Sequence, residues 1–182
     1  GSPADVASSQ LCLYDLDQAT TRQVPLPYAA VSQPTWDPTG RFIAFIGRPL
    51  GPGHWSTNHE VAIVAAHSPD IAARRVSAPD CNAARRVPGA RTLAWHGDSL
   101  LYVAPERGRL RIWRADNTDQ AVPVPLDPER ADGHVLDFCL GDAGVLYWDV
   151  WLDRLAALHR LPIGHTKQAL DLEDSTVVYD PH

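Results

Sequence analysis

Ser99 is the residue that most invites a chemical reading. It stands in Gly97-Asp98-Ser99-Leu100, a block in which a serine hydroxyl becomes an acyl-transfer nucleophile if a histidine base and its acidic partner lie within hydrogen-bond reach. Where these four letters mark a nucleophile, the resemblance implies a serine that follows the first strand of an α/β fold and a base from a distant Asp-x-x-His. No Asp-x-x-His recurs near the C-terminal end of the sequence. The block is instead flanked by two apolar runs, Leu93-Ala94-Trp95 and Leu100-Leu101-Tyr102-Val103, which reads as a β-hairpin with Gly-Asp in its turn. A four-letter match carries little without its structural context, so the turn takes precedence.

Metal chemistry fares no better. His59-Glu60 is followed by His67, too late for the two-histidine face of a zinc helix, and Val61 to Val64 reads as strand. Cys12, Cys81 and Cys139 are widely spaced and form neither a disulfide framework nor a zinc pattern. Each reads as a small apolar filler, Cys139 within Phe138-Cys139-Leu140 most clearly. No Gly-x-Ser-x-Gly and no phosphate-cradling glycine loop is present. The expectation is a chain with no catalytic residue, metal or cofactor of its own.

The remaining chemistry-bearing stretch is Gly47 to Glu60, rich in glycine and proline. Long loops on rigid scaffolds often carry recognition, which makes Trp55, Asn58 and Glu60 the candidate recognition residues. Trp55 has two roles open to it, anchoring a partner or substrate and packing back on the rim, with packing ahead. Glu60 bears on a ligand only if it faces a central channel; a solvated strand start is its default.

What must position these residues is a repeated hairpin. Pro34-Thr35-Trp36-Asp37-Pro38-Thr39-Gly40 leads into Arg41-Phe42-Ile43-Ala44-Phe45, and Leu93-Ala94-Trp95-His96-Gly97-Asp98-Ser99 leads into Leu100-Leu101-Tyr102-Val103. Leu136-Asp137-Phe138 leads through Gly141-Asp142-Ala143-Gly144 into Val145-Leu146-Tyr147, and Val177-Val178-Tyr179-Asp180-Pro181 repeats the opening of the unit. The aromatic positions 36, 95, 138 and 179 are 59, 43 and 41 residues apart. The last two intervals match a propeller blade of about 40–45 residues, and the Gly47–Glu60 insertion lengthens the first. Further strand pairs follow each hairpin: Leu11–Tyr14 with Thr21–Val24, Val61–Val64 with Ala73–Val76, Leu110–Trp113 with Ala121–Val124, and Leu155–Leu158 with Thr166–Ala169. Two hairpins per period make a four-stranded blade, and Pro123 and Pro125 suit its outer edge strand.

The fold class expected is therefore all-β, a partial β-propeller of antiparallel four-stranded blades. Residues 1–10 read as a cloning scar (Gly1-Ser2) and linker, and 11–27 as an outer half-blade. Blades follow at about 32–79, 87–126 and 134–170, with the start of a further blade at 175–182. Helix is disfavoured by 16 prolines and 12 glycines; the best helical candidate, Trp151 to His159, is short. Open blade edges expose unpaired backbone groups, which favours self-association.

Composition narrows the partners. The net charge of −6 argues against nucleic acid, which needs a concentrated basic surface. Arg74-Arg75 and Arg85-Arg86 read as solvated strand edges. No apolar run approaches the roughly 20 residues of a membrane span. The compartment stays open, with the cytoplasm ahead of the periplasm.

The hairpin sequence from Pro34 to Phe45 resembles the Pro-x-Trp-Ser-Pro-Asp-Gly-x-x-Ile-Ala-Phe repeat shared by Tol-system periplasmic propellers and peptidase propellers. Two further stretches separate these groups. Leu101-Tyr102-Val103-Ala104-Pro105-Glu106-Arg107-Gly108-Arg109-Leu110-Arg111-Ile112-Trp113-Arg114 is similar to the Leu-Tyr-Phe-x-Ala-x-Asp-Arg-Gly-Arg-x-x-Leu-Tyr-Arg segment of the prolyl oligopeptidase family, acylaminoacyl-peptidase branch. Gly133-His134-Val135-Leu136-Asp137-Phe138 looks like that branch's following blade. The resemblance covers roughly residues 30–160. It implies a propeller that caps a C-terminal α/β-hydrolase domain, the domain whose Ser-Asp-His triad cleaves short peptides, and that keeps folded proteins out. None of the triad-bearing domain lies in these 182 residues, so the resemblance carries over no catalytic residue. The departures at His96-Gly97 and before Gly40 touch turn chemistry alone. The implied partners are the hydrolase domain and peptides; the competing expectation is a free-standing protein-interaction propeller of periplasmic or envelope type.

Overall fold

Apolar residues in the repeated hairpins fall on consecutive positions, as in Phe42-Ile43-Ala44-Phe45-Ile46, which is what a strand covered on both faces requires. The computed structural model describes residues 8–50, 58–68, 72–78, 82–83, 91–116, 124–125, 134–141, 144–150, 156–161 and 176–179. Among the described residues every regular element is a β-strand. A two-stranded sheet pairs β1 (Cys12–Asp15) with β2 (Thr20–Gln23). The first blade runs β3 (Tyr28–Trp36), β4 (Phe42–Pro49), β5 (Glu60–Ala65) and β6 (Arg74–Arg75). The second runs β7 (Leu93–His96), β8 (Ser99–Glu106), β9 (Arg109–Asp116) and β10 (Val124–Pro125). The third runs β11 (His134–Gly141), β12 (Gly144–Val150), β13 (Ala157–Leu161) and β14 (Thr176–Tyr179). Each four-stranded sheet is an antiparallel meander in chain order, so the chain is an all-β partial propeller.

Alternation along each strand divides the core into layers between sheets. Ile43, Phe45, Ala62 and Val64 pack with Leu11 and Val24 of the half-blade. Their neighbours Ala44, Ile46, Val61 and Ile63 pack the other way, against Leu93, Trp95, Leu100 and Tyr102 of the second blade. That blade in turn sends Ala94, Leu101, Val103 and Ile112 against Val135, Phe138, Val145 and Tyr147 of the third. Cohesion thus lies between successive sheets.

Polar stitches between successive sheets fix the stacking. Gln33, at a bulge in β3 with φ of 51°, accepts hydrogen bonds from the Thr92 N–H at 3.0 Å and the Thr92 hydroxyl at 3.2 Å. The Trp95 indole N–H donates to the Thr35 carbonyl at 3.2 Å. Asp137 accepts from the Arg91 N–H at 2.9 Å, and the Arg22 guanidinium of the half-blade donates to the Ala66 carbonyl.

The β3–β4 turn shows how local sequence sets the hairpin. Gly40 takes φ of 71°, where a Cβ is unfavourable, and its N–H donates to the Asp37 carbonyl at 3.0 Å. The buried Asp37 carboxylate accepts from the Phe42 N–H at 2.7 Å, the Thr39 N–H at 3.3 Å and the Thr39 hydroxyl. Burial alone would raise this carboxyl; the hydrogen bonds from Thr39 and from the backbone of Phe42, Thr39 and Arg41 outweigh it and hold the group below its ordinary range. A depressed carboxyl stabilises the fold at neutral pH and loses that contribution as pH falls below about 4. Asp37→Asn is expected to cost about 1–2 kcal/mol at pH 7 and to flatten the acid limb of stability; urea unfolding from pH 7 to pH 3 measures it, and an unchanged limb would refute it.

Three expectations need correction. Thr176–Tyr179 does not open a further blade: β14 pairs with β13, Leu158 opposite Tyr179 and His159 opposite Val177, and closes the third sheet. Its valines and tyrosine resemble a hairpin lead-in locally, but a free third strand supplies the ladder they need. The expected fourth strand at Thr166–Ala169 lies outside the described residues. Cys139 is not a core filler; it is exposed, because Phe138 takes the inward position and alternation turns its neighbour outward. Cys12 is exposed as well, and Cys81 lies outside the described residues. The disfavour of helix holds among the described residues: the end of the Trp151–His159 stretch lies on β13, whose residues pair with β12.

Candidate functional site

In an antiparallel meander, connections alternate between two rims. The Asp37–Arg41 and Gly97–Asp98 turns open at one rim. The other collects the connections from β2 to β3, β4 to β5, β6 to β7 and β8 to β9. The long insertion therefore leaves and re-enters at the second rim, beside the starts of β3 and β5.

A row of four residues crosses the first blade there. Gly47 of β4 is paired with Glu60 of β5, and Tyr28 of β3 lies over Gly47 so closely that a Cβ on the glycine would sit 2.4 Å from the ring. Tyr28 reaches across to donate from its hydroxyl to Glu60 Oε1 at 2.6 Å. Glu60 Oε2 faces Arg75 of β6 at 3.7 Å. The ring of Tyr28 also packs edge-on against Phe45, centroids 5.1 Å apart. Backbone bonds clamp the base of the insertion: Leu50 N–H to the Pro27 carbonyl at 3.1 Å and Ala83 N–H to the His59 carbonyl at 2.9 Å. The His59 N–H donates to the Asn82 side chain at 3.2 Å.

Burial pushes the Tyr28 phenol well above its ordinary value, and the hydrogen bond to Glu60 with that residue's negative charge adds to the effect. The phenol is a neutral donor throughout the physiological range. A raised value means that its contribution is complete below about pH 10 and fades at higher pH as Tyr28 ionises. Glu60→Gln removes one raising influence, so Tyr28 is expected to ionise at lower pH in that variant. NMR of ring-labelled tyrosine, assigned with Tyr28→Phe, measures this; an unmoved titration would show that the carboxylate has no part.

Of the three candidate recognition residues, Glu60 belongs to this row, on the face turned toward the half-blade. It is half-buried and paired, which corrects the expectation of a solvated strand start. Asn58 is exposed on the same rim, and Trp55 lies outside the described residues. Sequence reading missed Tyr28 and Arg75 as its partners. The one local signal was Gly47, a glycine interrupting an apolar strand, which marks close approach by another group.

The serine of Gly97-Asp98-Ser99-Leu100 sits at the opposite rim, next to the hairpin turn. Its hydroxyl donates to Asp116 Oδ1 at 2.7 Å, and Arg114 Nε meets the same oxygen at 3.2 Å. The serine bond ties β8 to β9, and the arginine braces its acceptor within β9. His59 and His67 flank opposite ends of β5, too far apart to share an ion; among the described residues no group of three or more His, Cys, Asp or Glu side chains could hold a metal. The Arg107-Gly108 turn carries φ of 48° and 82°, the double left-handed conformation of a two-residue hairpin. It projects from the second blade at the same rim as the insertion. Beside it, His134 Nδ1 accepts from the Leu110 N–H at 3.2 Å and joins the second blade to the third.

No protein-family model matches the sequence, and no curated protein sequence does. Solved structures match the fold. The β-propeller domain of the trilobed protease from Pyrococcus furiosus, described as having an open velcro topology, aligns with 98% of this chain at a TM-score of 0.63 and 14% identity; the match takes in 48% of that chain. TolB from Acinetobacter baumannii aligns with 86% of this chain at a TM-score of 0.53 and 14% identity, over 35% of its own length. The present chain thus spans less than half of either propeller protein.

Proposed function

We propose that this chain is a non-catalytic propeller segment of a serine peptidase, and that the rim bearing the insertion admits and positions short peptides for an α/β-hydrolase domain. The observation that carries the reading is the placement of Arg107-Gly108-Arg109, the stretch most similar to peptidase propellers, in a rigid turn on the same rim as the Gly47–Glu60 insertion. A propeller neighbour from a protease supports it. The role is access and orientation. Ser99 is engaged by Asp116 in a hairpin, Tyr28 stays protonated, and Glu60 is shared between a phenol and a guanidinium, so the rim offers donors and a carboxylate without a nucleophile and base in register.

The alternative, a protein-interaction propeller, draws on Trp36. It is 49% exposed at the opposite rim and lies against His67, centroids 6.4 Å apart; exposed aromatics of this kind anchor protein partners. Titrating isotope-labelled chain with unstructured peptides separates the two readings. The peptidase reading expects saturable NMR shifts confined to Tyr28, Asn58, Glu60, Arg107 and their neighbours, and no cleavage of peptide anilides. Cleavage by the chain itself, or shifts centred on Trp36 and His67, would overturn it.

A further inference from the structure

Val31 of β3 turns both of its backbone hydrogen-bonding groups away from β4. The Ser9 hydroxyl accepts from the Val31 N–H at 2.8 Å and donates to the Val31 carbonyl at 2.6 Å. One side chain thus stands where a residue of a neighbouring strand would stand, supplying the donor and the acceptor of a single rung. β3 is the first strand of its sheet, and no strand lies on this edge among the described residues. Register shifts flank the rung, between Tyr28 and Ala30 and between Ser32 and Thr35, and Pro34 within the second has no N–H to offer. Bulges and proline of this kind stop an edge from pairing along its length. Here they leave one rung open between them.

We infer that Val31 is a main-chain anchor for an extended peptide, one residue of which takes the place of the Ser9 hydroxyl. Its N–H donates to the Val31 carbonyl and its carbonyl accepts from the Val31 N–H, the exchange that addition of a strand to a sheet edge supplies. The inference rests on the peptide-admitting role proposed above and gives it a point of attachment. Position is the first argument. Val31 is paired with Gly47, and Gly47 with Glu60, so the open rung continues the row at the insertion rim. The first strands of successive sheets lie side by side, β3 by β7 and β7 by β11, and sheets that fan out from their first strands turn the free edge of β3 toward the propeller axis. Chemistry is the second argument. The edge asks for one donor and one acceptor without charge, which a peptide residue carries. Exchange is the third. Ser8, Ser9 and Gln10 are exposed while Leu11 is buried, so Ser9 withdraws without disturbing the packing that begins at Leu11. Paired residues share a face, and the face of Val31 is the one on which Leu13, Leu26 and Tyr28 pack. The ligand residue at this rung is therefore apolar.

Titrating the isotope-labelled 182-residue chain with a tripeptide of alanine, valine and alanine, acetylated at one end and amidated at the other, tests it. The Val31 amide is expected to shift on saturation and its hydrogen exchange to slow. Ser9→Ala alters an exposed side chain, should leave circular dichroism and melting intact, and is expected to tighten binding about threefold to tenfold by removing the competing hydrogen bonds. Ser9→Thr keeps a hydroxyl and should bind as the parent does. Methylation of the valine nitrogen of the peptide removes the donor and is expected to weaken binding at least about tenfold. Equal affinity with and without the Ser9 hydroxyl would overturn the inference, as would indifference to methylation. Shifts at Asn58, Glu60 and Arg107 with Val31 unmoved would overturn it alone and leave the rim reading standing; no shift at any of these residues would remove both.

Discussion

Phe45→Ala is expected to destabilise the chain by about 3–5 kcal/mol, the usual cost of truncating a fully buried phenylalanine. Phe45 is fully buried in the layer between the half-blade and the first blade. Its loss opens a cavity there and takes away the edge-on partner of Tyr28. The damage should be local, because each sheet is held only by the sheets on either side of it. Hydrogen exchange is expected to accelerate in β1 to β4 well before β11 to β13, alongside a lower urea midpoint. Tyr102→Ala offers the matching control: Tyr102 is buried between the first and second blades and stacks on Trp113 at 6.4 Å, so its loss should move the zone of rapid exchange one layer along. A uniform rise in exchange from either substitution would contradict layered cohesion.

Gly47→Ala is expected to cost about 3 kcal/mol, the upper end of the usual range for overpacking. The added methyl would lie 2.4 Å and 2.7 Å from two Tyr28 ring carbons, closer than non-bonded atoms tolerate. The ring is held on its other side by Phe45 and at its tip by Glu60, so relief requires breaking one of these. The double variant Gly47→Ala with Tyr28→Ala should be no less stable than Tyr28→Ala alone, because the clash disappears with the ring. Chemical denaturation of the four species of the cycle measures the coupling, and additive losses would place the strain elsewhere.

The parts of this fold that could be read from sequence are those that local chemistry decides. Asp37-Pro38-Thr39-Gly40 and Gly97-Asp98 specify turns on their own, and the apolar runs beside them can be nothing but strands buried on both faces. The fourth strand of the third blade was not legible. It follows its partner across the connection from Leu161 to Thr176, and Val177-Val178-Tyr179 taken alone looks the same as the first strand of a new unit. Cys139 misled for a related reason: its apolar neighbours predict burial, yet the outcome depends on whether another sheet covers that face. The Tyr28–Glu60 pair, 32 residues apart in sequence, is set by strand register and leaves only Gly47 as a local trace.

The pairing of Gly47 with Glu60 has a consequence for how such proteins diversify. The ladder is complete on the sheet side of that rung, and the clamps at Leu50 and His59 hold both stems of the connection. Whatever is spliced between them meets only the slow entropic penalty of a longer loop, about 0.6 kcal/mol per doubling. Changes in length or composition can therefore be taken up at that tip while the architecture beneath stays as it is.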